Sequence, residues 1–184
     1  FDNKIVGLQD TYVSVFGGLK NFTISKTGNV TVKSLMTDNQ VNQFTKRLSL
    51  FYTNKRRKTT MQHSTLSKLN QEKNLLEVKK IASKGKKALL DRDHETIGTL
   101  IYKQWKLKYD RQPSSFHKKI NHVIEEAISA GALGGKLIGA GGGGFILLYL
   151  DDQKNKDIEA LMEKNNFKNI KFNADHTGTS SFTI

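Results

Sequence analysis

Apolar and polar residues recur along the first fifty residues in a way that predicts two strands and one helix. Residues 30–35 alternate between apolar and polar positions, and residues 48–53 are mostly apolar, so both stretches predict strands. Between them, Asp38 is placed to cap a short helix that carries Val41 and Phe44.

Three longer helices are predicted in the middle of the chain, where apolar residues recur at helical spacing. The first covers residues 66–90, although Gly85 can interrupt it, and the second covers residues 94–108. The third begins at Ser114 or Ser115, since either hydroxyl can accept a hydrogen bond from the first helical turn.

The last part of the chain predicts strands around one further helix. Beyond a glycine-rich segment at 131–144, we expect a continuous apolar strand at 145–150, a polar helix at about 152–165 and a short strand at 169–172. The polar tail, 175–184, is expected to fray or to add an edge strand. Because the helices are grouped, the order predicts an α+β fold in which helices cover one face of an antiparallel sheet.

The composition is that of a globular protein and excludes several kinds of site. The 184 residues are 36% hydrophobic and include no cysteine, which excludes disulfides and thiolate metal sites. The longest apolar stretch, 145–150, is far shorter than the ~20 residues of a membrane-spanning helix. We therefore expect a cytoplasmic protein without a membrane partner. The histidines show no metal-ligand spacing and are expected at the surface: His63, His94, His117, His122 and His176.

The net charge of +13 is concentrated in one part of the chain. Residues 46–120 carry 20 basic and 6 acidic side chains. We favour a solvated, lysine-rich helix surface, because a nucleic-acid module usually interleaves aromatic residues with its cations. The alternatives are a basic module that binds nucleic acid and a few cations that hold the phosphate of a small substrate.

The segment 131–144 is the most informative stretch, since eight of its fourteen residues are glycine. Two known phosphate loops do not fit it. A Walker A loop needs Ser or Thr where this chain has Leu137, and a G-x-G-x-x-G fingerprint should open a helix rather than precede a strand. Two interpretations stay open: a nest of backbone N–H groups that binds a phosphate, or a tight connection that packs a helix against a strand.

This glycine segment resembles the third signature motif of the GHMP kinases, in which a glycine-rich helix end leads through Gly-Ala-Gly-Gly-Gly into an apolar strand. Three further stretches are similar to the same superfamily: residues 7–12 with 16–18, residues 51–53 with Arg57, and residues 105–108. Within the superfamily, the chain is most similar to the sugar-phosphate kinases that phosphorylate D-glycero-D-manno-heptose 7-phosphate on its anomeric hydroxyl.

The resemblance implies a ferredoxin-like C-terminal domain over residues 28–184, preceded at 1–27 by the end of an N-terminal domain. The first two family motifs, which wrap the ATP phosphates and supply the Ser and Glu ligands of Mg²⁺, would precede Gly7 and are not in this sequence. The catalytic cleft would lie between the two domains, and we expect the chain on its own to be inactive.

The resemblance also assigns roles to individual residues. Asp10 occupies the position of the carboxylate that accepts or orients the proton of the acceptor hydroxyl, although Thr11 replaces the usual Gln. Arg57 matches an arginine suited to bidentate capture of a substrate phosphate, and Asn54, which replaces a glycine, can adopt the same left-handed conformation. Further substrate contacts are expected from Gly17, Gly18, Lys108 and Lys136, and phosphate-loop contacts from Gly134, Gly135, Gly139, Gly141, Gly142, Gly143 and Gly144.

Without the resemblance, the same residues have plainer interpretations. Asp10 would be a cap or turn residue, Lys108 and Lys136 would be solvated surface lysines, and Trp105 belongs to the core side of its helix.

The expected function is ATP-dependent phosphoryl transfer, with Mg²⁺, to a heptose 7-phosphate. The alternatives are a kinase of the same family that acts on another sugar such as fucose or galactose, a basic nucleic-acid-binding module, and a relative that has lost catalysis and serves as a regulator.

Overall fold

The computed structural model describes residues 8–55, 68–111, 114–139, 143–151 and 155–180, with side chains described over 12–55, 73–110, 114–139, 143–151 and 155–180. The chain forms two compact units. The first consists of Phe1–Thr45 together with Asn173–Ile184, and the second consists of Lys46–Phe172.

The first unit is built around a β-hairpin. Its elements are α1 (Leu8–Val15), β1 (Lys20–Ile24), β2 (Val30–Ser34) and α2 (Asp38–Lys46). The two strands pair antiparallel, so the predicted strand at 30–35 is confirmed. Its partner β1 was not predicted, because its residues are at most half-buried and give little apolar alternation.

Three aromatic rings pack α1 against this hairpin. The ring of Tyr12 lies 6.4 Å from that of Phe16 and 6.0 Å from that of Phe22, and the last two are 6.2 Å apart. Such separations are those of favourable aromatic pairs. The rings therefore fix the side of α1 that faces the sheet.

Helix α2 is capped by Thr37, so the prediction that Asp38 caps it is wrong by one residue. The Thr37 N–H donates to the Gln40 side-chain oxygen at 2.9 Å, and the Gln40 N–H donates to Thr37 Oγ1 at 3.4 Å. This reciprocal pair is a capping box. Asp38 is instead the first helical residue, where a negative charge favours the helix N-terminus.

The second unit is an antiparallel sheet with helices. Its elements are β3 (Leu48–Tyr52), α3 (Lys68–Asp91), α4 (His94–Arg111), α5 (Ser115–Ser129), β4 (Gly134–Ile138), β5 (Phe145–Tyr149), α6 (Lys156–Lys164) and β6 (Lys168–Ile170). The strand order is β4-β5-β3-β6, and every neighbouring pair is antiparallel. This order is the ferredoxin-like topology, so the predicted α+β fold is confirmed.

The core of the second unit lies between the sheet and helices α5 and α6. Helix α5 begins at the predicted cap, since the Ser114 hydroxyl accepts the His117 N–H at 3.1 Å. The core residues recur at helical spacing on the helices and at every second position on the strands, and among the fully buried ones are Ile120, Ile124, Leu137, Ile146, Leu148, Ile158 and Met162.

Two expectations for the helices need correction. Gly85 does not interrupt α3, which is continuous from Lys68 to Asp91, since a single helical glycine costs only about 1 kcal/mol. The expectation that the histidines lie at the surface is wrong for His117, which is 3% exposed and meets the ring of Trp105 edge-on. Trp105 itself is 1% exposed, as predicted for a core residue.

Helix α4 covers the edge strand β4 through a contact between two glycines. A Cβ atom on Gly98 would lie 2.3 Å from the Leu133 carbonyl oxygen, and a Cβ atom on Gly134 would lie 2.0 Å from the Gly98 oxygen. No side chain fits at either position, so helix and strand meet backbone to backbone. The two glycines thereby allow α4 and β4 to approach closely.

Within the described residues, no helix has both the length and the apolar character needed to cross a membrane.

The Gly98 contact predicts a difference between two glycine-to-alanine substitutions. Gly98→Ala should lower the free energy of unfolding by about 1–3 kcal/mol, as overpacking typically does. Gly85→Ala should leave it unchanged or raise it by up to ~1 kcal/mol, because alanine favours the helix and the new Cβ would approach only Leu100, at 3.9 Å. Urea unfolding followed by the fluorescence of Trp105, the single tryptophan, measures both. Equal effects of the two substitutions would contradict this packing.

Candidate functional site

The first half of the glycine-rich segment is a strand rather than a loop. Residues Gly134–Ile138 form β4, which pairs with β5 from Gly134 opposite Tyr149 to Ile138 opposite Phe145. The connection that follows, residues 139–144, is called the glycine turn below. The backbone φ is positive at Gly139 (+100°) and at Gly144 (+115°), a conformation that residues other than glycine rarely adopt. The segment therefore serves close packing in its first part and turn conformation in its second.

The end of β3 holds this turn. The N–H and the hydroxyl of Thr53 both donate to the Gly144 carbonyl oxygen at 2.9 Å, and Thr53 is only 6% exposed. In return, the Gly144 N–H donates to the Lys55 carbonyl at 3.2 Å. The two stretches that the sequence singled out, at 51–53 and in the glycine segment, are thus adjacent. The Gly144 N–H is used within the protein, so an anion nest would have to use other N–H groups of the turn.

Asn54 takes the conformation expected of it. Its φ is +53°, and its side-chain amide donates to the Asn166 carbonyl at 2.6 Å. The prediction that this asparagine preserves a left-handed turn is therefore confirmed. Arg57, which follows it, lies outside the described residues, as do Gly141 and Gly142 in the glycine turn.

One lysine connects α4 to the glycine turn, and a second connects β4 to α4. Lys108, on α4, donates to the Gly139 carbonyl at 2.5 Å, and Lys136, on β4, donates to the side-chain oxygen of Gln104 at 2.6 Å. Burial lowers the pKa of the Lys136 ammonium group because it disfavours the charged form. The two predicted cations thus lie on neighbouring elements, beside a turn that exposes backbone at Gly139.

Gln104 was not identified from the sequence, although a signal for it exists. It precedes Lys108 by four residues, so the two lie on the same face of α4. Its amide oxygen accepts the hydrogen bond from a largely buried ammonium group, which would otherwise lack a partner among the contacts described.

The remaining predicted residues lie in the first unit. Asp10 lies in α1 rather than in a loop. Gly17 and Gly18 follow that helix, and both contact the backbone of the tail: the Gly18 N–H donates to the Asp175 carbonyl at 2.6 Å, and a Cβ on Gly17 would lie 2.3 Å from the His176 carbonyl carbon. Packing therefore requires glycine at position 17, whereas Gly18 is favoured by its positive φ of +72°.

Comparisons with known proteins agree with the resemblance. Residues 86–168 match the family model described as GHMP kinases C terminal. The chain is 28% identical over 183 residues to a D-glycero-alpha-D-manno-heptose 7-phosphate kinase from Campylobacter jejuni, a match that covers 97% of this chain and 54% of that protein. It is 27% identical over 171 residues to a bifunctional fucokinase/GDP-fucose pyrophosphorylase from Arabidopsis thaliana, covering 86% of this chain and 16% of that protein.

A solved structure shows the same fold. The crystal structure of a D-glycero-D-manno-heptose 1-phosphate kinase from Bacteriodes thetaiotaomicron superposes with a TM-score of 0.67 at 21% identity, covering 97% of this chain and 50% of that one. Residues 86–168 are thus similar to the C-terminal part of the GHMP kinases, and the fold of the chain is that of the matched structure. It spans about half the length of the two heptose phosphate kinases that it matches.

The environment of Lys136 predicts a shifted titration. Its ammonium group should lose its proton at a pH below 10.5, the ordinary value. The charged form therefore weakens folding at neutral pH, and this penalty is relieved as the pH rises towards 10.5. An NMR titration of the lysine side chains measures the midpoint. Lys136→Met assigns the resonance, and Lys84→Met assigns that of an exposed lysine for comparison. A Lys136 midpoint at or above 10.5 would contradict the burial argument.

Proposed function

We propose that this chain is part of an ATP-dependent kinase that phosphorylates a heptose 7-phosphate on its anomeric hydroxyl. The observation that carries the proposal is the glycine turn, which is held by hydrogen bonds from Thr53 and Lys108. The turn, Lys108 and Lys136 all lie within residues 86–168, which match the GHMP kinase model. Because the matched heptose 7-phosphate kinase covers 97% of this chain, its substrate class is the first to test.

The reaction needs positioning and charge neutralisation more than covalent chemistry. The anomeric oxygen attacks the γ-phosphorus of ATP, the bond to the β-phosphate oxygen breaks, and ADP leaves. In this proposal, Asp10 accepts or orients the proton of the attacking hydroxyl. Arg57, Lys108 and Lys136 bind the acceptor phosphate, and the acceptor also contacts Gly17 and Gly18.

ATP and Mg²⁺ supply the phosphoryl group and neutralise its charge when bound. The lysines and the glycine turn fit phosphate oxygens chemically, since ammonium groups and backbone N–H groups are the donors that phosphates take. In the described parts of the chain, His, Asp and Glu side chains do not group in threes as metal ligands. As the resemblance implies, the proposal assigns the Mg²⁺ ligands to an N-terminal domain, of which residues 1–27 are the end, and assigns residues 28–184 to the C-terminal domain. On this view the chain alone is inactive.

A second candidate is the same reaction on a sugar without a phosphate. The similarity to the Arabidopsis protein, which is named a fucokinase in part, favours fucose as that sugar. The two candidates differ in their need for cations, because fucose offers no phosphate to Lys108. Lys108→Gln should therefore raise the KM for heptose 7-phosphate more than the KM for fucose, because loss of the contact with Gly139 affects both sugars equally.

The lysine-rich helices give less support to a nucleic-acid-binding role. On α3, Lys80 pairs with Glu77 at 2.7 Å and Lys87 pairs with Asp91, and Lys103 of α4 also approaches Glu77, at 3.4 Å. These pairs are typical of a solvated helix surface.

An enzyme of the proposed kind is expected in the cytoplasm, where ATP is available.

The proposal predicts that phosphoryl transfer depends on Asp10. ATP consumption by the protein that contains this chain should require heptose 7-phosphate, and Asp10→Asn should lower kcat by about 10²- to 10⁴-fold, as loss of a general base does. The matched control is Glu163→Gln, which removes one exposed carboxylate from α6 and should leave the rate unchanged.

Two results would count against the proposal. Full activity of Asp10→Asn would remove the assigned role of this carboxylate. A folded protein that consumes ATP with none of heptose 7-phosphate, fucose or galactose would favour a relative without catalysis.

A further inference from the structure

The C-terminal tail caps helix α1. The last carbonyls of a helix have no partner within it. Here the N–H of Thr179 donates to the Val15 carbonyl at 3.2 Å, and the Thr179 hydroxyl donates to the Ser14 carbonyl at 2.8 Å. The cap of this helix is thus supplied by a residue 165 positions from Ser14 along the chain.

The same part of the tail contacts the two glycines that follow α1. The Gly18 N–H donates to the Asp175 carbonyl at 2.6 Å, and a Cβ on Gly178 would lie 2.2 Å from the Val15 carbonyl oxygen. A Cβ on Gly17 would likewise lie 2.3 Å from the His176 carbonyl carbon, so no side chain fits at Gly17 or at Gly178. We refer to residues 175–179 as the tail clamp.

Asp175 organises the tail clamp internally. Its carboxylate accepts hydrogen bonds from the Thr177 N–H and hydroxyl, both at 3.0 Å, and from the Gly178 N–H at 3.2 Å. These donors favour the ionised form and lower the pKa of Asp175. The turn is therefore held in the shape that presents Thr179 to α1.

His176 attaches the tail clamp to α2. Its Nε2 lies 2.8 Å from the side-chain oxygen of Asn42, and its Nδ1 lies 3.3 Å from a carboxylate oxygen of Asp38. The tail clamp is thus connected to both helices of the first unit. It is a built part of that unit rather than a loose end.

We propose that Thr179 and Asp175 are positioning residues for the acceptor sugar. They fix the C-terminal end of α1, the helix that contains Asp10, and the backbone of Gly17 and Gly18. The inference rests on the proposed function, because it assumes that Asp10, Gly17 and Gly18 contact the acceptor.

The length of α1 makes its position depend on such contacts. A helix of eight residues is marginal by itself, because most of its stability comes from packing and capping. The ring cluster of Tyr12, Phe16 and Phe22 fixes one side of α1, and the tail clamp fixes its end. A displacement of about 1 Å in a positioning element can cost orders of magnitude in rate, so a small loosening of this end should be measurable.

The test compares two substitutions of Thr179 in the protein that contains this chain. Thr179→Val keeps the shape and the backbone N–H but loses the hydroxyl donor, whereas Thr179→Ser keeps the donor. For Thr179→Val we expect kcat/KM for heptose 7-phosphate to fall by about 3- to 10-fold, the scale of one lost hydrogen bond, with the KM for ATP unchanged. Thr179→Ser should restore the wild-type value. Asp175→Ala should act like Thr179→Val, and hydrogen exchange at the Gly18 amide should speed up in it.

The outcomes distinguish a failure of the proposed function from a failure of the positioning role. Wild-type protein without acceptor-dependent ATP consumption contradicts the proposed function. Active wild-type protein in which Thr179→Val keeps its kcat/KM overturns the positioning role alone. A loss that Thr179→Ser does not restore, or an equal change in the KM for ATP together with a lowered Tm, would indicate a purely structural role and would also overturn it.

Discussion

The contact between the backbones of Gly98 and Gly134 determines how helix α4 lies along strand β4. From Gly98 to Lys108, ten residues of helix rise about 15 Å. From Gly134 to Gly139, five extended residues advance about 16 Å. The two elements therefore stay in step, and for this reason Gln104 reaches Lys136 and Lys108 reaches Gly139. A side chain at the glycine contact would move the helix away and separate both pairs.

The glycine turn depends equally on the order of strands in the sheet. Because β5 lies between β4 and β3, the end of β3 comes beside the start of β5, and Thr53 can hold Gly144. The structural and the functional interpretations of the glycine segment are thus compatible. Gly134 serves the close approach of a helix, while Gly139 and Gly144 give the turn a conformation in which the Gly139 carbonyl accepts a hydrogen bond from the Lys108 ammonium group.

The parts of the fold that could be predicted from sequence are those with strong local signals. The α5 helix has regular apolar spacing and a serine cap, and Asn54 belongs to the few residue types that tolerate positive φ. Strand β4 gave no such signal, because its glycines interrupt the apolar alternation. The Thr37 cap was missed because Asp38 beside it is an equally good cap by type. The burial of His117 is decided by Trp105 on another helix, which local spacing does not reveal.

The residues of the candidate site likewise divide into those with a signal in the local sequence and those without one. The family motif located the glycine turn, Lys108 and Lys136, whereas Gln104 and the tail clamp depend on contacts between residues distant in sequence.

The central claim is that a phosphoryl group passes to the anomeric oxygen of a sugar phosphate. The most direct measurement is a ³¹P NMR spectrum of the reaction of ATP and heptose 7-phosphate with the protein that contains this chain. The account predicts a new phosphate resonance coupled to the anomeric proton, together with ADP. Release of inorganic phosphate alone, with the sugar unchanged, would contradict it.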